Sequence, residues 1–258
     1  MPTITSSALK LLGCVLGAVL LLPQAQAQQL ADRKQQLPVA NLWLLYSTDA
    51  RLSSKWGLHA DAQIRRSRSA DILRQNQVRV GINYYAAPQL MLTAGYSYVA
   101  LYSADEAPVN ILAPEHRLYE QLIIQDDKGL VRVQHRYRLE QRRVVLPGEA
   151  GPTYLNRARY QLRLTLPLRG TAITPGTPYL AAADELLFNF GRHATGSIFD
   201  QNRAALNLGY QITQATALEM GYLNLWLPAG GPQQQRHIAQ LSLTFNPDLR
   251  PATDALMP

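Results

Sequence analysis

From about residue 40 onward, apolar and polar side chains alternate with a period of two. In WGLHADAQIRR, Trp56, Leu58, Ala60, Ala62 and Ile64 share one phase, and His59, Asp61, Gln63 and Arg65 share the other. NQVRVGINYY sets Val78, Val80, Ile82 and Tyr84 against Gln77, Arg79, Gly81 and Asn83. NRARYQLRLTLPL sets Ala158, Tyr160, Leu162, Leu164 and Leu166 against Arg157, Arg159, Gln161, Arg163 and Thr165. Successive side chains of a strand point to opposite faces, so each run predicts a strand with one apolar and one polar face. No segment after residue 40 sustains a helical period. Counting from a first run at 39–46 to a last at 236–246 gives eleven candidate strands.

The connections fall into two kinds. Short ones follow Tyr85, Gln125 and Ile212, whereas longer Pro/Gly/Ser/Ala-rich ones lie near 66–73, 103–114, 143–155, 191–198 and 228–235. The segment 169–177 is long where a short turn is due. Short turns on one side and long loops on the other predict an all-β fold, an antiparallel up-and-down transmembrane β-barrel. Repeated hairpins ending in Gly-Tyr, GINYYAAPQLMLTAGYSY and LNLGYQITQATALEMGYLN, agree with this. Single-chain bacterial barrels normally have an even number of strands. The expected range is therefore ten to twelve, with twelve favoured if 28–38 or 169–177 supplies one more, and ten if the first run is not a strand.

A soluble barrel or sandwich would show the same alternation, with the phases exchanged between core and water. Three features favour the membrane. The runs have the length that a tilted span needs. Trp56, Tyr84, Tyr102, Tyr210, Trp226 and Phe245 fall near strand ends, where interfacial aromatic girdles belong. The N-terminus reads as an export signal: Lys10, then LLGCVLGAVLLL, then the small-x-small site AQA at 25–27. The expected organisation is a cleaved signal peptide over 1–27, an N-terminal segment over 28–38, a barrel over 39–246 and a periplasmic tail over 247–258. Cys14 lies within the leader, so the mature chain has neither disulfides nor thiolate metal sites.

Charge then matters for what the polar phase does. Removing Lys10 lowers the formal net charge from +7 to +6. No stretch joins a basic patch to the aromatic spacing of a single-strand binder, and export also argues against a nucleic-acid partner. The arginines instead lie along strand edges, most densely in VRVQHRYRLEQRR. There Arg132, Arg136, Arg138, Glu140 and Arg142 alternate with Val131, Val133, His135, Tyr137 and Leu139. An arginine on a lipid face costs about 2–4 kcal/mol at mid-membrane, so the polar phase must turn inward. Threading the strands up and down gathers Arg65, Arg79, Glu115, Arg117, Arg136, Arg138, Glu140, Arg142, Arg157, Arg159, Glu185, Asp200 and Arg203 in the lumen. Two readings follow: a salt-bridge plug that stabilises a narrow barrel, or a basic vestibule that attracts small anionic solutes.

EHRLYEQL, HRYRLEQR, RARYQLRL, DELLFNF, FDQNRAALNLGYQI and LEMGYLN, in this order, resemble a bacterial outer-membrane family, the domain-of-unknown-function 2490 family. The resemblance spans roughly 39–246 and implies an outer-membrane barrel of a Gram-negative bacterium. Its partners would be outer-membrane lipids and, during biogenesis, the barrel assembly machinery. It implies no substrate, cofactor or catalytic residue. Phe245 would serve as the terminal aromatic that the assembly machinery reads, although NPDLRPATDALMP follows it.

No catalytic or metal motif stands out, and no His pair has ligand spacing. The best hydrolase candidate is His116 with Glu115 and Ser103. The expectation is a non-enzymatic barrel without cofactor or metal. A narrow anion-preferring channel or small-solute transporter comes second and an outer-membrane lipid hydrolase third.

Overall fold

A computed structural model of the chain describes residues 41–67, 72–102, 111–145, 149, 151–191, 198–227 and 234–251. The expected signal peptide, the 28–38 segment and the end of the tail lie outside these residues.

Among the described residues the alternating runs form eleven strands: β1 (Asn41–Arg51), β2 (Trp56–Ser67), β3 (Ile72–Ala87), β4 (Leu90–Tyr102), β5 (Ile111–Lys128), β6 (Val131–Val144), β7 (Thr153–Pro167), β8 (Pro178–Phe190), β9 (Phe199–Gln211), β10 (Thr216–Leu227) and β11 (Gln234–Phe245). Each pairs antiparallel with its chain neighbours, and β1 pairs parallel with β11 to close the barrel. The favoured count of twelve is therefore corrected to eleven. The first run is a strand, and 169–177 lies in the β7–β8 connection. An odd number of up-and-down strands sends the first and last in the same direction, so closure must be parallel.

Five connections lie at what we call the turn end: β1–β2, β3–β4, β5–β6, β7–β8 and β9–β10. The tightest are the two-residue links between β3 and β4 and between β5 and β6; in the second, Gly129 takes φ 64° in the left-handed region that glycine tolerates. The long 168–177 connection folds back across the turn end. There Gly176 N–H donates to Gln211 C=O at 2.8 Å, and Ile173 packs on Tyr179, Ala181 and Ala217. The chain leaves β11 at this end and continues the sheet briefly. Leu249 N–H donates to Arg51 C=O at 2.8 Å and Arg51 N–H to Pro247 C=O at 2.9 Å, bridging Asp248 to Arg51. Hydrogen bonds from Arg250 hold the Asp248 carboxyl down at about 2.

The two phases of each strand separate across the wall. Outward side chains include Leu58, Val78, Val80, Ile82, Leu118, Leu139, Leu206, Leu208 and Met220, with Met220 62 % exposed. Inward ones include His59, Asp61, Gln77, Arg79, Asn83, Ser97, Glu115, Arg138, Glu140, Arg159 and Glu185, all buried. Hydrophobic side chains thus cover the outside and polar ones fill the inside, the reverse of a water-soluble core.

Bulky inward rings fit because glycines face them. A Cβ on Gly95 would stand 2.6 Å from the Tyr119 ring, and one on Gly209 would stand 2.2 Å from Tyr179. This close approach gives a physical role to the glycines of the Gly-Tyr hairpin repeats.

Candidate functional site

A belt of ion pairs crosses the lumen, with its residues supplied mainly by β5 to β9. Period-two alternation places Glu115 and Arg117 on β5, Arg136, Arg138, Glu140 and Arg142 on β6, and Arg157 and Arg159 on β7 in one inward phase. Across the ladders, Glu140 lies opposite Arg157, and Arg138 opposite Arg159. The register itself therefore juxtaposes like charges as well as opposite ones.

Three carboxylates organise the cations. Glu115 is gripped by Arg117, with Nε to Oε1 at 2.8 Å and Nη2 to Oε2 at 2.9 Å, and on its other side by Arg142. Glu140 accepts from Arg159 Nη1 at 2.6 Å and Arg117 Nη1 at 3.4 Å. Glu185 accepts from Arg136 Nη2 at 2.7 Å, Arg159 Nε at 3.0 Å and Arg203 Nη1 at 3.1 Å. Arg159 thus bridges Glu140 to Glu185. Toward the long-loop end, Arg157 pairs with Asp200 at 3.0 Å and donates to Asn189. On the other flank, Arg79 holds both Asp61 oxygens through Nη1 at 2.7 and 2.8 Å. His59 lies between Asp61 and Asp49.

Charge-assisted, multiply bonded arginines are the arrangement that can offset the desolvation of buried ions. The offset is incomplete. Nine arginines (65, 79, 117, 136, 138, 142, 157, 159, 203) face five carboxylates (Asp61, Glu115, Glu140, Glu185, Asp200), a surplus of four positive charges. Arg138 shows it most clearly. It is 3 % exposed, and its Nε and Nη2 both donate to the neutral Gln121 Oε1. Its Nη1 has no hydrogen-bond partner and stands 3.9 Å from Glu140. Arg65 donates to Gln63 and Gln75 and lies 3.9 Å above the Trp43 ring, with no carboxylate within ion-pair distance among the described residues.

Beneath the belt, toward the turn end, lies a cavity of about 780 Å³. Arg65, Arg79, Arg138, Arg159, Glu185 and Arg203 close it on the belt side, while Gln89, Gln211, Gln214 and Pro247 mark its turn-end rim. Glu115, Arg117, Glu140, Arg142 and Arg157 do not line it, because they form the layer beyond.

All thirteen residues singled out for the lumen from the sequence therefore meet in one network or its margin. Of the aromatics, Trp56 and Tyr84 form a ring pair at 4.9 Å toward the turn end, with Tyr210 and Phe245 also exposed on that side. Tyr102 and Trp226 stand at the long-loop end of their strands, where Tyr102 accepts from Asn76 and Trp226 packs on Phe199.

Asp61, His59 and Gln121 were missed as lumen partners, although each shares the phase of a flagged arginine. Tyr119 and Trp43 were hidden more deeply, since both are aromatics in an inward position. The hydrolase candidate is corrected. Glu115 points inward to Arg117, whereas adjacent His116 points outward and pairs with Tyr96 Oη at 2.6 Å. Neighbours on one strand cannot share a site across the wall, and Ser103 lies outside the described residues. Glu120 and Asp184 are carboxylates that face outward from the wall. Glu120 accepts from Gln141 at 3.0 Å, and Asp184 accepts from Asn202 at 2.9 Å. Among the described residues no cluster of three or more His, Cys, Asp or Glu could hold a metal ion.

The fold and its interior define a class: a closed, eleven-stranded β-barrel with an ionic lumen. Within that class, the model of the family described as "Protein of unknown function (DUF2490)" matches residues 40–236, and the chain belongs to this family. No curated protein and no solved structure matches the chain.

Proposed function

We propose that this protein is an exported outer-membrane β-barrel of a Gram-negative bacterium, non-enzymatic, with its lumen blocked by the ionic belt. One observation carries this reading: the wall is apolar outside and polar inside. Outward positions such as Val80, Ile82, Leu118, Leu208 and Met220 would be a large exposed patch in water, but they match a hydrocarbon environment. An apolar groove on the outer wall, floored by Ala94 and Ala158 between Tyr84, Tyr137 and Tyr160, has the form of a seat for a lipid chain. The amides of Gln141 and Asn202 lower the cost of the outward Glu120 and Asp184 carboxylates by hydrogen bonding to them. The turns would face the periplasm and the long loops the exterior.

The test is depth-dependent. Val80→Arg at mid-strand on the outer face is expected to cost about 2–4 kcal/mol in a bilayer. The same change should cost little if this face meets water. Heat-modifiable gel migration of the purified protein, with Trp56 fluorescence quenched by brominated lipid, provides the direct readout. Migration indifferent to heating, or a tolerated Val80→Arg, would sink the membrane reading.

A second reading, the narrow anion-preferring channel, is favoured by the arginine surplus. It predicts an anion-selective conductance in planar bilayers that falls on Arg138→Ala with Arg159→Ala. A silent wild type would leave the blocked barrel.

A further inference from the structure

We infer that the cavity beneath the belt is a binding site for an organic oxyanion, a carboxylate or phosphate carried on a small apolar body. The inference rests on the reading of an intact barrel and goes further by assigning its lumen a ligand. Four observations converge on it.

The first is charge. The cavity lining carries nine arginines (51, 65, 79, 132, 136, 138, 159, 163 and 203) against five carboxylates (Asp49, Asp61, Glu185, Glu219 and Asp248), with Glu140 reaching Arg159 from the layer beyond. Guanidinium does not give up its proton in proteins, so the surplus cannot be relieved by neutralisation from within. It has to be met by water or by a countercharge.

The second is unspent hydrogen-bonding capacity. Arg138 Nη1, Arg79 Nε and Arg65 Nε have no hydrogen-bond partner and are closed off from water; their side chains line this cavity, so a turn of the guanidinium would bring these donors to a ligand in it. Leaving a charged donor unsatisfied is costly, and an oxyanion accepts from several guanidinium nitrogens at once.

The third is room. About 780 Å³ lies within the range of small-molecule sites. Space is left beside Glu185 and Arg203 because Ala183 and Ala205, two positions before and after them in the same inward phase, are small.

The fourth is the apolar part of the lining. Leu45 and Leu223 near the seam, and Ile173 and the Tyr179 ring nearer the turn end, also line the cavity and offer apolar surface to a ligand body. A bare inorganic ion would satisfy the arginines and leave this surface unused. The site therefore points to an amphipathic anion.

The test uses the full barrel in detergent micelles, in a buffer free of phosphate and carboxylate. Phenyl phosphate, inorganic phosphate and benzylammonium are the probes, read by titration calorimetry and by the temperature at which the compact gel form is lost. Phenyl phosphate should bind one to one and raise the melting temperature, inorganic phosphate should bind more weakly, and benzylammonium should do neither. Arg138→Gln should weaken phenyl phosphate by about tenfold or more, the loss of one charge-assisted contact. Ala183→Phe fills the cavity without deleting a member of an ion pair and should abolish binding while the compact form persists, so the test survives misfolding of Arg138→Gln.

Equal responses to phenyl phosphate and benzylammonium, or wild-type binding by Ala183→Phe, would overturn the site. Inorganic phosphate binding as tightly as phenyl phosphate would overturn the apolar body. Loss of heat-modifiable migration in the wild type would count against the barrel reading instead, so the two failures are distinguishable.

Discussion

On one side of the lumen, across β5 to β9, the wall is held by Glu115, Glu140 and Glu185 and the arginines they bind. On the other, where β1 meets β11, Trp43, Leu223, Leu225 and Ile238 pack together in an ordinary apolar cluster. The two sides differ in their backbones as well. The β5–β6 ladder is antiparallel and pairs fourteen residues from Glu115 to Lys128, whereas the β1–β11 ladder is parallel and pairs seven from Asn41 to Ser47. Parallel pairing is slightly weaker per residue, so the seam is the short, weak ladder of the barrel. Apolar packing needs no partner geometry and stabilises the seam directly. Ion pairs give little net stability against hydrophobic replacements, and here they occupy the long ladders that can hold charged groups in register. The difference shows where this barrel concentrates its multiply bonded ion pairs: away from its closure, where Arg65 and Arg203 rest on the Trp43 ring instead.

The comparison can be broken most forcefully at Glu140. Glu140→Ala would leave Arg159 to Glu185, Arg117 to Glu115 and the buried Arg138 without its nearest carboxylate, an expected loss of about 3–5 kcal/mol in denaturant unfolding of the reconstituted barrel. A loss below about 1 kcal/mol, in the range of exposed pairs, would mean that the belt is hydrated rather than packed. At the seam, Ile238→Ala should cost about 3 kcal/mol through lost burial and a cavity. Unfolding that begins in β1 and β11, read by hydrogen exchange of their amides, would mark the seam as the weak element. Protection there equal to that in β5 and β6 would erase the distinction. The smallest expected effect has the opposite sign. Tyr119 is buried in the lumen with a hydroxyl that has no partner, so Tyr119→Phe should leave stability unchanged or raise it by about 1 kcal/mol. A loss in the same unfolding measurement would reveal a water or ligand on that hydroxyl.

Much of the fold was legible because a strand's side chains obey a period of two and nothing else in the chain competes with it. The runs around Val80, Leu139 and Leu164 mark strands without reference to their neighbours. The hidden parts are those that alternation misreports. Trp43 and Leu45 face inward although they are apolar, because the seam needs an apolar filling. Glu120 and Asp184 face outward although they are charged, each held by an amide from the adjacent strand. Tyr119 reads as a wall residue, but its ring lies inside against Gly95 on β4. Such facts depend on the residue that a second strand brings alongside, which a single strand's pattern does not contain.

By itself, the sequence determined an all-β chain of alternating strands and membership of its family, since periodicity and ordered motifs are local properties. Tertiary structure decided the parity, because whether eleven strands close depends on β1 finding β11 across nearly the whole chain. It also decided the pairing. In the belt, nine arginines and five carboxylates share the inward phase, and only register and barrel curvature select which cation meets which anion and leave Arg138 facing a neutral amide.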